Sequence, residues 1–158
     1  MPRDDIINDL SALGGLPFFL IITGLLAIIT PSSDRFAVAL MMLLGLAACF
    51  GVTALIRWFY FKPRPSAIHH QNWWQRIDAS SFPSLHAMRA AFLATVLVIL
   101  SQYSVTMMIT VTIITLGVAW ARVVKKVHRP IDVIVGIVLG KIIAFIAMVL
   151  MARIPNWL

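Results

Sequence analysis

Long apolar runs separated by short polar punctuation set the architecture before any single residue does. Five runs stand out, at 10–30, 36–58, 83–100, 105–121 and 131–151. Each approaches the roughly 20 helical residues that cross a hydrocarbon layer of about 30 Å. Between them, Pro31-Ser32-Ser33-Asp34-Arg35 and Ser101-Gln102-Tyr103-Ser104 read as tight polar turns, whereas 60–82 is a longer connection rich in Pro, His and Trp. The pattern predicts an all-α integral membrane bundle of about five transmembrane helices, one domain over 1–158, without internal repeats. Trp58, Trp73, Trp74, Trp120 and Trp157 all fall at run ends or in connections, where indole rings anchor at headgroup depth. Trp73 and Trp74 beside Arg76 leave two readings open, a short helix lying along the interface or aromatics capping the bundle.

Composition agrees. The chain is 61% hydrophobic and 12% charged, with a mean hydropathy of +0.95, which excludes a soluble domain with a polar surface. Its net charge of +7 would suit nucleic acid on a soluble face, but the basic residues gather beside run ends. Anionic or phosphorylated lipids are therefore the expected partners, and nucleic acid is not. Cys49, the single cysteine, lies in an apolar run, so no intrachain disulfide forms. The first run follows Asp4, Asp5 and Asp9 without a small-residue cleavage site, and reads as a retained span rather than a signal peptide. Glutamate is absent, and of the six aspartates only Asp132 adjoins a run at histidine-pairing distance.

Alternating spans bring the ends of the second and fourth runs and the starts of the third and fifth to one membrane face. Three polar clusters share that face: 57–65 (RWFYFKPRP), 83–86 (PSLH) and 122–132 (RVVKKVHRPID). Ser80, Ser81 and Ser84 offer helix caps, and Pro83 suits a first helical position, so a helix is expected to begin near Ser84. Its free amides make an anion site, to which Ser84 adds a hydroxyl and His86 a proton. Pro130 opens the last helix similarly, with His128 just before it and Asp132 in its first turn. At that spacing the carboxylate is expected to hold one imidazole nitrogen and leave the other to attack. Arg57, Lys62, Arg64 and Arg122 concentrate positive charge there, and a guanidinium grips two phosphate oxygens at once. Taken singly, each has an ordinary reading: a capped helix, an N-capping carboxylate, a cation snorkelling to the headgroups. That ordinary reading is preferred for Arg76, Lys125, Lys126 and Arg129.

The ordered set resembles the type 2 phosphatidic acid phosphatase superfamily, whose signatures are written KxxxxxxRP, PSGH and SRxxxxxHxxxD. Arg57 with Arg64-Pro65 matches the first, Pro83-Ser84-Leu85-His86 the second, and Arg122, His128 and Asp132 the third. The resemblance implies a lipid phosphatase that needs no metal or cofactor. His128 would be the nucleophile that becomes phosphohistidine, Asp132 its orienting partner, and His86 the acid for the leaving group. Arg57, Arg64, Arg122 and Ser84 would bind phosphoryl oxygens, with Lys62 as an additional cation. It also implies a polyprenyl phosphate or diphosphate, or a lipid of the phosphatidic acid type, as substrate, and a prokaryotic cytoplasmic membrane as the compartment. Arg57 stands in place of lysine, Leu85 of glycine and Ala121 of serine, and the chain is one helix short of six spans. Leu85 is expected to narrow the site, and Ala121 removes a possible phosphate contact. Two rivals share these features: a phosphotransferase passing the group from His128 to another lipid, and a non-enzymatic scaffold or transporter that only binds headgroups.

His69, His70 and Asp78 read as loop residues rather than ligands or acids. Lys141 lies mid-span without an obvious partner, and Gly136 with Gly140 makes a small-residue pair suited to close helix packing, within the bundle or between copies.

Overall fold

The computed structural model describes residues 3–31, 34–66, 72, 75, 77 and 79–153. Six helices order these residues: α1 (Arg3–Ala12), α2 (Leu16–Ile29), α3 (Arg35–Phe59), α4 (Leu85–Leu100), α5 (Val105–Val124) and α6 (Pro130–Met151). Among the described residues there is no strand, and Pro63 and Ser80 form an isolated antiparallel bridge. His69, His70, Trp73, Trp74, Arg76, Asp78 and Trp157 lie outside the described residues.

Helices α3, α5 and α6 are long and apolar enough to cross a membrane, yet only 28%, 28% and 22% of their most apolar stretches are buried. Phe36, Leu55, Phe59, Ile113, Leu116 and Phe145 point outward. Such a surface is stable against lipid, not water, and the chain is an integral membrane protein. Trp58 and Trp120, both half-exposed, sit near the same end of the bundle, the C-terminal ends of α3 and α5.

The first apolar run differs from its expected form. It breaks at Leu13-Gly14-Gly15, where α1 and α2 are bent by 49°. Pro17 stands in the first turn of α2, where its missing N–H and fixed φ suit a new start better than a continuation. Helix α1 (RDDIINDLSA) is polar and begins well before hydropathy rises, which is why an apolar window missed it.

Helix α4 is shorter than its neighbours at 16 residues and begins at Leu85, after Pro83 rather than on it. Every position from Ala87 to Leu93 is buried, so α4 is covered on all sides and forms the axis of the bundle. Helix α6 packs against it through glycine: a Cβ at Gly136 would stand 2.5 Å from the Ser84 carbonyl oxygen, and one at Gly140 2.2 Å from that of Met88. The small-residue pair is thus used within the bundle. It draws the start of α6 onto the start of α4, and so brings Asp132 to Ser84.

Candidate active site

Backbone and side-chain bonds stitch the three clusters together. Arg57, in the last turn of α3, donates from Nη1 to the Ile77 carbonyl at 3.2 Å and from Nη2 to that of Pro83 at 3.1 Å. The Ser81 amide donates to the Lys62 carbonyl at 2.7 Å, and the Lys62 amide to Ser80 Oγ at 3.3 Å. The Ser84 amide donates to the Asp132 carbonyl at 2.9 Å, and Ser66 to Lys126 at 3.0 Å. Arg57 therefore braces the connecting loop as well as adding charge.

His128 is 3% exposed, and its Nδ1 lies 2.6 Å from the Ser81 carbonyl oxygen. A carbonyl only accepts, so Nδ1 carries the proton and Nε2 keeps its lone pair. Burial, then the positive charge of Arg122, push its pKa from 6.5 down to about 4, with Arg57 and Arg64 adding to the shift and the Ser81 bond opposing it. At neutral pH the ring is an uncharged imidazole held in the tautomer a nucleophile requires.

Asp132 does not supply that hold. It is fully buried, its Oδ1 2.5 Å from Lys62 Nζ, while its Oδ2 accepts from the Arg129 amide at 2.9 Å. The expected bond between Asp132 and His128 is replaced by the Ser81 carbonyl. The reason is local: Asp132, in the first turn of α6, folds back to cap its own helix, whereas His128 lies outside the helix and turns toward the loop before α4. Lys62 does fold inward, but onto this carboxylate, so its first partner is Asp132 and not an open phosphate position. Its ammonium also lies 5.4 Å from the Phe82 ring centre.

Ser84 is the N-cap residue of α4, yet its hydroxyl makes no capping bond. Ser84 Oγ, Ser81 Oγ and Arg122 Nε are buried with no hydrogen-bond partner among the described residues. Leaving such groups unpaired costs about 1–3 kcal/mol each, so these buried donors, together with the first amides of α4, suit an oxyanion. His86 occupies the first turn of α4 and is half-buried. Arg122, Arg89, His128 and Arg64 all stand close enough to act on its charge. Arg122 itself donates from Nη1 to Ser11 Oγ at 2.9 Å. Leu85, expected to narrow the site, packs against the hydrophobic core.

Three participants escaped the sequence reading. Ser81 acts through its backbone, which no side-chain motif can signal. Arg89 is a buried cation within an apolar run, the one signal that was available; its Nε donates to the Gly14 carbonyl at 3.1 Å. Ser11 sits on the unrecognised α1.

The arrangement therefore gathers a neutral, tautomer-fixed imidazole, a second histidine and three arginines at one end of the bundle. The crystal structure of a transmembrane PAP2-type phosphatidylglycerolphosphate phosphatase from Bacillus subtilis has the same fold, with a TM-score of 0.74 and 24% identity over 100% of this chain and 81% of that one. No curated protein matches the sequence. The family model of the PAP2 superfamily matches residues 35–155, which hold all three signature clusters and every helix that carries them, and the chain belongs to that superfamily.

Proposed function

We propose that the chain is a membrane lipid phosphatase that hydrolyses a lipid phosphomonoester or diphosphate through a phosphohistidine at His128. The observation that carries the reading is the Ser81 carbonyl on His128 Nδ1, which presents an uncharged Nε2 among Arg57, Arg64 and Arg122. Nε2 attacks phosphorus, the bond from phosphorus to the leaving oxygen breaks, and its electron pair departs with that oxygen, protonated by His86. Water then attacks the phosphohistidine, giving its proton to His86, and inorganic phosphate leaves with His128 restored. Arg122, Arg64, Arg57 and Ser84 Oγ stabilise the negative charge throughout. Asp132, held by Lys62, fixes the start of α6 and with it the position of His128. No step requires a metal.

A lipid substrate is supported by the position of the site at the end of an apolar bundle, where a headgroup phosphate would meet the cations while its chains stay in lipid. A polyprenyl diphosphate or phosphate, phosphatidic acid and phosphatidylglycerol phosphate are the candidates, in a prokaryotic cytoplasmic membrane. The test is phosphate release from this panel by purified wild type and His128→Ala, with chelator present. Wild type should release phosphate and the variant should fall at least about a thousandfold, the scale of losing a covalent nucleophile. Retained release in the variant overturns the mechanism, dependence on added metal overturns its metal-free chemistry, and label appearing in a second lipid instead of free phosphate identifies a phosphotransferase.

A further inference from the structure

We infer that Ser11, on a helix outside the residues matched by the family model, is a positioning residue that aims the Arg122 guanidinium at the phosphoryl group. The inference rests on the reading of Arg122 as a phosphate-binding cation. Helix α1 buries Ile7, Ser11 and, just past its end, Gly14, a spacing that places them along one face. Ser11 is the polar member of this stripe, only 4% exposed, and its oxygen accepts from Arg122 Nη1 at 2.9 Å. Two further bonds clamp α1 on either side: Lys125 Nζ donates to Asn8 Oδ1 at 2.8 Å, and Arg89 Nε donates to the Gly14 carbonyl at 3.1 Å. The end of α1 is pressed onto α4 so closely that a Cβ at Gly14 would stand 2.9 Å from the His86 carbonyl oxygen. The helix is thus fixed to the backbone that carries His86 and to the side chain of Arg122 together.

The chemistry of the acceptor matters as much as its position. Asp4, Asp5 and Asp9 all lie on the exposed part of α1, and the group turned toward Arg122 is a hydroxyl. A carboxylate there would hold the guanidinium equally well but cancel its charge and compete with phosphate. A neutral acceptor holds the cation while leaving its full charge for an anion. Ala121, the residue preceding Arg122, has no hydroxyl of its own, and Ser11 supplies one to the guanidinium from elsewhere in the fold.

The experiment measures binding of inorganic phosphate to the full-length protein in detergent, by titrated thermal shift, for wild type, Ser11→Ala, Ser11→Thr, Arg122→Ala and the Ser11→Ala/Arg122→Ala double variant. Ser11→Ala should weaken phosphate binding about tenfold, the scale of one hydrogen bond to a charged group, and Ser11→Thr should bind as wild type does. In the Arg122→Ala background, Ser11→Ala should change nothing further, because Ser11 acts only through that arginine. Unchanged binding in Ser11→Ala, an equal loss in both backgrounds, or a loss in Ser11→Thr as large as in Ser11→Ala would overturn the assignment. Wild type that binds phosphate in this pattern yet releases none from any lipid would instead remove the hydrolase reading and leave the role of Ser11 standing.

Discussion

Two ionisable side chains ride on α6, and the fold treats them oppositely. Asp132, at the start, is fully buried, with one oxygen on the Lys62 ammonium and the other on the Arg129 amide. Lys141, in the middle, is exposed and lines a groove of about 460 Å³ between α4, α5 and α6, alongside Tyr103 and Thr112. No carboxylate pairs with it among the described residues. Both positions are costly in a bilayer, so rarity alone does not separate them. What separates them is convergence: the loop after α3 brings Lys62 and the loop before α4 brings Ser84 into bonds with Asp132, while no such partner reaches Lys141 among the described residues.

The sharpest way to break that contrast is to remove the partner from the buried carboxylate. Lys62→Met leaves the fully buried Asp132 carboxyl without its cation, which should cost about 3 kcal/mol, the usual scale for half of a buried pair. The thermal midpoint in detergent should fall accordingly, and Lys62→Met/Asp132→Asn should recover most of the loss, because no uncompensated charge remains. If Lys62→Met instead leaves the midpoint unchanged and only raises KM for lipid phosphate, Lys62 is a substrate cation and not the support of Asp132.

The same contrast explains what could be read beforehand. Helices α3, α5 and α6 were legible because a lipid-facing helix must be apolar along its length, and the three clusters were legible because polar residues at span ends stand out against such runs. The start of α4 near Ser84 was legible from its serines and Pro83, although Ser84 caps the helix through its backbone alone and not through its hydroxyl. The pairing of His128 was misassigned because sequence spacing brings Asp132 near, whereas a backbone carbonyl from Ser81 wins the contact. Spacing shows which side chains can meet; it does not show which carbonyls stand closer. Helix α1 and Ser11 were hidden for a third reason, since a polar helix beside a membrane has no hydropathy signal.

His128 offers a second way to sharpen the comparison, through pH. Its pKa is pushed down to about 4 from an ordinary 6.5, chiefly by burial and then by Arg122. The imidazole therefore stays neutral, and competent to attack, as pH falls through 6.5, and charges only as pH approaches about 4. Over that window the unfolded chain takes up the proton and the folded one does not, so stability also declines as pH falls. NMR titration of labelled histidine in the ligand-free protein, assigned with His128→Asn, should place the transition near 4. A midpoint near 6.5 would mean that water reaches the ring and that the Ser81 bond does not enclose it.

The smallest effect belongs to Lys141. Its ammonium lines a groove away from the residues that gather around His128, and helix α6 is held to α4 by Gly136 and Gly140 rather than by this side chain. Lys141→Met should therefore leave phosphate release within about twofold of wild type and shift the thermal midpoint upward or not at all, since an ionisable group is removed from the span and an apolar one of similar reach replaces it. A loss of phosphate release well beyond that range would show that charge in the middle of α6 is coupled to its start. The convergence criterion that separates Asp132 from Lys141 would then be insufficient, because a lone cation would have proved as necessary as a fully partnered carboxylate.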